Sequence, residues 1–297
     1  MTEIDVADLD CIYLSYDEPQ KEEFWIKIQN MIPWAKRVDG IKGSDAAHKA
    51  AAKTSDTERF ILIDGDNLPN EQFFNTTLEL DNISENAVFR WRARNHVNGL
   101  MYGNGGISCW TKTFVENMQT HEASVGKDET DVEFCFDPLY WPMYDCYSTT
   151  YPNASPKHAW RAGFREGVKM CLNKGTKPSL IDFKDQVHSR NLDHLTVWHN
   201  VGMDVEHGDW AIAGARMGTQ WTMLSSWNHK QVQWFDTLDD IWNRMKDQDP
   251  RELIKRYSDD LATQLDLPMN LLSVEQSKFF KHHYCSNHRN KGPMARE

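Results

Sequence analysis

Residues 60–70, FILIDGDNLPN, run four apolar side chains straight into two aspartates separated by one glycine. Carboxylates at i and i+2 at the end of a strand bracket one point in space. Hard oxygen donors of this kind suit Mg²⁺ or Mn²⁺, which in turn bridge phosphate oxygens of a bound substrate. Asp64 and Asp66 are therefore the first candidates for a metal site, and Gly65 lets the backbone approach a ligand closely. The competing reading is a polar loop that closes a core strand. Position favours the first. CIYLSY (11–16) is a β-rich run, and the segment after it places Phe24, Ile28 and Ile32 at helical spacing. WAKRVDG (34–40) reads as a second strand, SDAAHKAAAKT (44–54) as a helix capped by Ser44, and RFILID (59–64) as a third strand. Strands alternating with helices predict a parallel, doubly wound sheet, whose ligands bind at the carboxyl ends of strands. The two aspartates lie at such an end.

Further strands are expected at 86–93, 106–110, 131–136 and 194–198. A helix is expected from Pro156 to Leu172, with Ser155 capping it and Gly175 just beyond its end. After residue 230 the pattern turns helical. The expected fold class is α/β, a mostly parallel Rossmann-like sheet flanked by helices with a C-terminal helical extension. The expected plan is a core over 1–230, with nucleotide binding at about 8–110 and the acceptor side at about 111–230. An extension and basic tail occupy 231–297.

The order strand, helix, strand, Ala-rich helix and apolar strand ending in Asp-Gly-Asp resembles the nucleotide-binding half of a GT-A glycosyltransferase. NGLMYGNGG, YSTTYPNASPKHAWRAGFREGVKM and VGMDVEHGDWAIAGARMG resemble a group of glycosyltransferase-like proteins of tailed bacteriophages. The resemblance covers most of residues 10–245. It implies a metal-dependent transferase with a nucleotide-sugar donor, most often a UDP-sugar. Asp66 would contact metal and diphosphate, and Asp64 the ribose or metal. Ser15, Tyr16, Asp17, Lys49 and Gly65 are expected with them at the donor, and Asn104, Gly105 and Gly106 at the sugar and acceptor pocket. Some such phage enzymes glycosylate 5-hydroxymethylcytosine in DNA, including with arabinose, which makes modified DNA the expected acceptor. Two other readings stand beside this one: a GT-A enzyme acting on a glycan, lipid or protein, and a binding module without turnover.

The remaining charged residues fall into groups. RWRAR puts Arg90, Arg92 and Arg94 on one face of a strand. Lys157, Arg161, Arg165 and Lys169 form a basic stripe along the helix. Either set could be a solvated face, or grip a phosphate backbone, or neutralise a donor diphosphate. The acceptor-side base is sought among Asp131, Glu133 and Glu166, and His207 is a candidate third metal ligand. YGNGG (102–106) is read as a turn before a strand. HHYCSNHRNK (282–291) lacks zinc-site spacing and reads as a basic tail. Neither GxGxxG nor GxxxxGK[ST] occurs, which argues against dinucleotide and P-loop chemistry.

Composition bounds the rest. The chain has 297 residues, 40% of them hydrophobic, with 12 Trp and 13 Phe, as befits a folded protein. A net charge of −11 opposes coating nucleic acid over the whole surface but permits a local basic groove. The six cysteines form no CxxC pair and are expected to be reduced. With no basic-apolar leader and no apolar run near 18 residues, the expectation is a cytoplasmic protein with no membrane partner.

Overall fold

The computed structural model describes residues 2–118 and 139–286. Its strands are β1 (Thr2–Asp5), β2 (Asp10–Ser15), β3 (Lys36–Asp39), β4 (Arg59–Asp64), β5 (Asn67–Pro69), β6 (Thr77–Leu80), β7 (Val88–Asn95), β8 (Met101–Thr111) and β9 (Tyr140–Thr150). The helices on the sheet side are α1 (Lys21–Met31), α2 (Ser44–Thr54) and α3 (Lys112–Asn117). The remainder are α4 (Pro156–Lys169), α5 (Phe183–Gln186), α6 (Ser189–Asn200), α7 (Gly208–Leu224), α8 (Phe235–Met245), α9 (Pro250–Leu265) and α10 (Val274–Ser286).

Seven strands form one sheet in the order β3-β2-β4-β8-β7-β9-β5, while β1 and β6 pair separately. The first part follows the sequence reading: β2 runs parallel to both β3 and β4. β4 needs two covered faces to be stable, and its first five residues are all buried. The rest departs from a mostly parallel sheet. β8 is antiparallel to β4 and to β7, β9 is parallel to β7, and β5 is antiparallel to β9. The molecule is α/β with a mixed sheet. The cause is local. Only residues 96–100 join β7 to β8, too few for a crossover, so the chain must return antiparallel. That turn is held by Gly99 N–H donating to Asn95 O at 2.8 Å and Val97 N–H donating to Asn95 Oδ1 at 2.9 Å.

Two sequence expectations change. HLTVW (194–198) is helix, part of α6, because Leu195, Trp198 and His199 repeat at helical spacing and all face the core. The expected strand at 106–110 is the second half of the longer β8, so the Gly-rich run lies within a strand. Trp91 pairs with Ile107 but Ala93 with Tyr102, so residues 103–106 bulge out opposite Arg92. The expected strand at 131–136 lies outside the described residues.

A second apolar cluster is built on α4 and α7. Ser155 caps α4 by accepting from His158 N–H at 3.2 Å, with Pro156 in the first turn. Gly163 and Gly167 on α4 pack against the backbone of Ala211 and Ala215 on α7, and Gly214 and Gly218 on α7 against that of Trp160 and Phe164. A Cβ on Gly163 would meet Ala211 O at 1.9 Å, and one on Gly214 would meet Trp160 O at 2.2 Å. The two backbones touch. That cluster runs from Val97 through α4, α6 and α7 to Leu267 beyond α9, so residues after 230 share their core with α4. The four cysteines with described side chains are free and buried. No described helix is long and apolar enough to cross a membrane.

Candidate functional site

The parallel pairing of β2 with β4 sets Leu14 opposite Asp64. Residues that follow Ser15 therefore sit beside the Asp-Gly-Asp turn. Asp64 is open to solvent and Asp66 half-buried, while Gly65 between them is buried. Glu18 folds back over this turn. Its Oε2 accepts from Tyr16 N–H at 2.7 Å, and a Cβ on Gly65 would lie 2.5 Å from its carboxyl carbon. In the structure, then, the missing side chain of Gly65 makes room for Glu18. Tyr13 pins the turn from beneath by donating its hydroxyl to Gly65 O at 2.7 Å.

Three carboxyls thus gather at one turn, and burial makes each harder to ionise. Surrounding protein, then the charges of Asp66 and Glu18, push Asp64 up to about 8. Burial likewise raises Glu18, with Asp66 and Asp17 adding to it. Burial raises Asp66 too, opposed by a hydrogen bond from Thr150 Oγ1 at 3.1 Å and by the charges of Arg161 and His158. Water reaches Asp64 even though protein surrounds it on most sides.

A basic pair faces these acids. Tyr151 N–H donates to Asp66 O at 2.8 Å, which ties the start of the β9–α4 connection to the turn. From the first turns of α4, His158 Nε2 and Arg161 each approach Asp17 Oδ1 at 3.7 Å. The contact with His158, then the charges of Arg161 and Lys157, hold Asp17 down at about 2 against its partial burial. Arg161 also lies over the Phe235 ring, 4.4 Å from its centroid. Acids on the strand ends meet cations on a helix across one residue, Asp17.

Compared with known proteins, the chain matches no family model and no curated protein. The reading of the site rests on its geometry.

Of the expected donor residues, the structure brings Tyr16, Asp17, Gly65, Asp64 and Asp66 to one place. Ser15 is buried at the same end of β2, donating to Asp39 Oδ1 at 2.7 Å and accepting from Arg37 Nε at 3.1 Å. Lys49 has a partner on its own helix, Asp45, at 2.7 Å. Gly106, at φ +73°, packs against Asn67, the residue after Asp66. The backbone bulge at 103–106 therefore adjoins the Asp-Gly-Asp turn.

His207 is not gathered with the aspartates. It starts α7 in the left-handed region at φ 58° and approaches Glu206 at 3.5 Å. Among the described residues no group of three or more His, Cys, Asp or Glu side chains is arranged to hold a metal ion. The α4 stripe is committed inside the chain: Lys157 pairs with Asp239 at 2.8 Å, Arg161 meets Asp17, and Arg165 stacks on Phe235 at 5.1 Å. Lys169 ends the stripe half-buried. On β7, Arg90, Arg92 and Arg94 do share a half-buried face, with Trp91 and Ala93 on the other side. Arg90 lies over Tyr140 at 4.7 Å and Arg92 over Tyr144 at 4.5 Å. Glu166 accepts from Tyr102, whose hydroxyl also takes a bond from Trp198 Nε1 at 2.8 Å. Asp131 and Glu133 lie outside the described residues.

Sequence reasoning missed Glu18, His158 and Thr150. Glu18 had a usable signal, since it follows a strand expected to lie parallel to β4. Thr150 did not, because its place beside Asp66 depends on β9 pairing with β5.

Proposed function

We propose that this protein is a metal-dependent glycosyltransferase, moving a sugar from a UDP-sugar to an acceptor hydroxyl. The observation that carries this reading is that Asp64, Asp66 and Glu18 gather at one turn, each with its pKa raised mainly by burial, opposite Arg161 and His158. An anion with its own bound cation satisfies both sides at once, and a nucleotide diphosphate is such a species. The residues fit Mg²⁺ or Mn²⁺: two hard, water-accessible carboxylates that lack a counter-charge on their own side. Mg²⁺ is commonly held by one or two carboxylates, with substrate phosphates and water completing its shell. A preformed cage of three protein ligands is not required. Asp64 and Asp66 would hold the ion, which would supply Lewis-acid stabilisation of the leaving diphosphate.

The chain's own groups do the rest. Arg161 and His158 offset phosphate charge that the carboxylates repel. Their positions are fixed because α4 is locked against α7 by backbone contact. The acceptor proton goes to a carboxylate, sought among Asp131, Glu133 and Glu166. Glu166, held by Tyr102 at the mouth of the Gly-rich bulge, is the described one of the three.

For the acceptor we propose the hydroxymethyl group of 5-hydroxymethylcytosine in DNA, with arabinose as the sugar. Support for it comes from the resemblance and from the arginine face of β7. A second reading, a glycan, lipid or protein acceptor, is favoured by the internal engagement of the α4 stripe and by the net charge of −11. One experiment separates them. The protein is incubated with Mn²⁺, a panel of nucleotide-sugars and hydroxymethylcytosine DNA, and the digested nucleosides are weighed. Hydroxymethylcytosine gaining a pentose is the expected product. Unmodified DNA beside a readily glycosylated glycan or protein would move the assignment to the second reading.

A further inference from the structure

Arg161 and His158 do not face an empty cleft. Asp17 is there, reaching both from the loop after β2 with neither contact shorter than 3.7 Å. That distance satisfies charge without using the donors, and His158 Nε2 is a buried nitrogen with no hydrogen-bond partner. Such nitrogens are costly to leave unmet. Meanwhile Arg161 also lies over Phe235, a contact that does not depend on Asp17. Asp17 is the movable member. Its side chain is 39% exposed, against 11% for Arg161 and 14% for His158. It also sits on a loop, whereas Arg161 and His158 stand on a helix of 14 residues.

A carboxylate held between an arginine and a histidine presents two oxygens where a phosphate would present three. We infer that Asp17 is an internal stand-in for the ligand's anionic group: it fills the Arg161–His158 seat in the free protein and must swing out before a diphosphate can enter. This deepens the proposed function and rests on it for the identity of the diphosphate. The geometry gives the device a purpose. Asp17 adds to the charge that raises Glu18, so its departure relieves the acidic floor while it frees the cations. Entry of the anion then opens both halves of the cleft together, whereas chloride or monophosphate, with less charge, competes poorly with the tethered carboxylate.

The test uses the full chain and inorganic pyrophosphate with Mg²⁺, titrated by calorimetry, with melting curves to confirm folding. Asp17→Asn keeps the shape and removes the competing charge. It should tighten pyrophosphate binding roughly two- to fivefold, the factor that matches a partly exposed ion pair. Arg161→Gln should weaken binding by tenfold or more, and in that background Asp17→Asn should no longer tighten it. Asp17→Asn leaving affinity unchanged, or weakening it, would overturn the stand-in, since Asp17 would then be inert or a ligand itself. Equal tightening in the Arg161→Gln background would overturn it as well, by showing that the effect does not pass through Arg161. The proposed function fails separately. A chain that shows this pattern with pyrophosphate yet binds no UDP-sugar keeps the seat and loses the sugar donor. One that binds UDP-sugar equally well with and without Asp17→Asn keeps the donor and loses the stand-in.

Discussion

Asp64 should make the free protein less stable as pH rises, and replacing it should make the protein more stable. Its carboxyl is raised from the usual 3.8 to about 8 in the folded state. Folded protein therefore holds that proton more tightly than unfolded chain does. The associated stability is fully present below the unfolded value and is lost as pH climbs through about 8. At about 1.36 kcal/mol per pKa unit, a fully shielded carboxyl would account for about 6 kcal/mol. Asp64 is solvent-open, so screening removes most of this, and we take about 1–2 kcal/mol. For a chain of this size that corresponds to about 2–5 °C in melting temperature. The assay is a thermal melt in EDTA at about pH 4.5 and about pH 8.5, bracketing most of the transition. Wild type should lose stability between the two, while Asp64→Asn should be flatter and melt higher at the upper pH. Mn²⁺ should raise the wild-type melting point at the upper pH and do little for Asp64→Asn. If Asp64→Asn melts lower than wild type at the upper pH, the carboxyl is not under electrostatic strain, and the argument for a missing counter-ion fails with it.

Asp66→Asn should abolish Mn²⁺-dependent UDP binding in calorimetry while leaving the fold intact; wild-type turnover in excess EDTA would refute the metal role. Arg92→Ala should weaken DNA binding and flatten its salt dependence by a slope of about 0.9, with UDP-sugar affinity unchanged. A loss of UDP-sugar binding instead would place Arg92 at the donor. Arg216 is fully buried, with its guanidinium on His199 O at 2.9 Å, Ile254 O at 3.0 Å, Asn200 Oδ1 at 3.2 Å and the Ser258 hydroxyl, and burial lowers it to about 10. Arg216→Ala strands these acceptors and should cost about 3–5 kcal/mol in urea denaturation. A loss under about 1 kcal/mol would mean that water replaces the guanidinium.

The first half of the fold could be read from the sequence because it is built from local signals. Strand and helix alternate over 10–64, and each has its own periodicity. The Asp-Gly-Asp turn was visible for the same reason, as an apolar run ending in charge. The second half obeys long-range rules. HLTVW has β-rich composition, yet Leu195 and Trp198 find their partners on other helices, and packing overrides propensity. The Gly-rich run looked like a turn because its function is a bulge, which is defined only by what β7 does opposite it. The glycines of AGFREG and AIAGARMG, spaced by four, were a legible sign of two helices in backbone contact that the sequence reading did not use. Gly65 was legible as important, but its neighbour was not, since only the folded chain shows Glu18 occupying the room.

The site is charge-complementary across a fold boundary, and that has a consequence for where affinity is set. Asp64, Asp66, Glu18 and Asp17 all sit at the strand ends, within 49 residues of one another in sequence. Arg161 and His158 come from α4, about 100 residues further along. α4 is placed by Gly163 and Gly167 against α7, and it is stapled to the turn through Thr150 and Tyr151 on Asp66. A change in the α4–α7 seam therefore moves the cations relative to the acids without touching either. A seam substitution mild enough to fold should alter anion affinity while sparing divalent-ion affinity, because the carboxylates stay on the sheet.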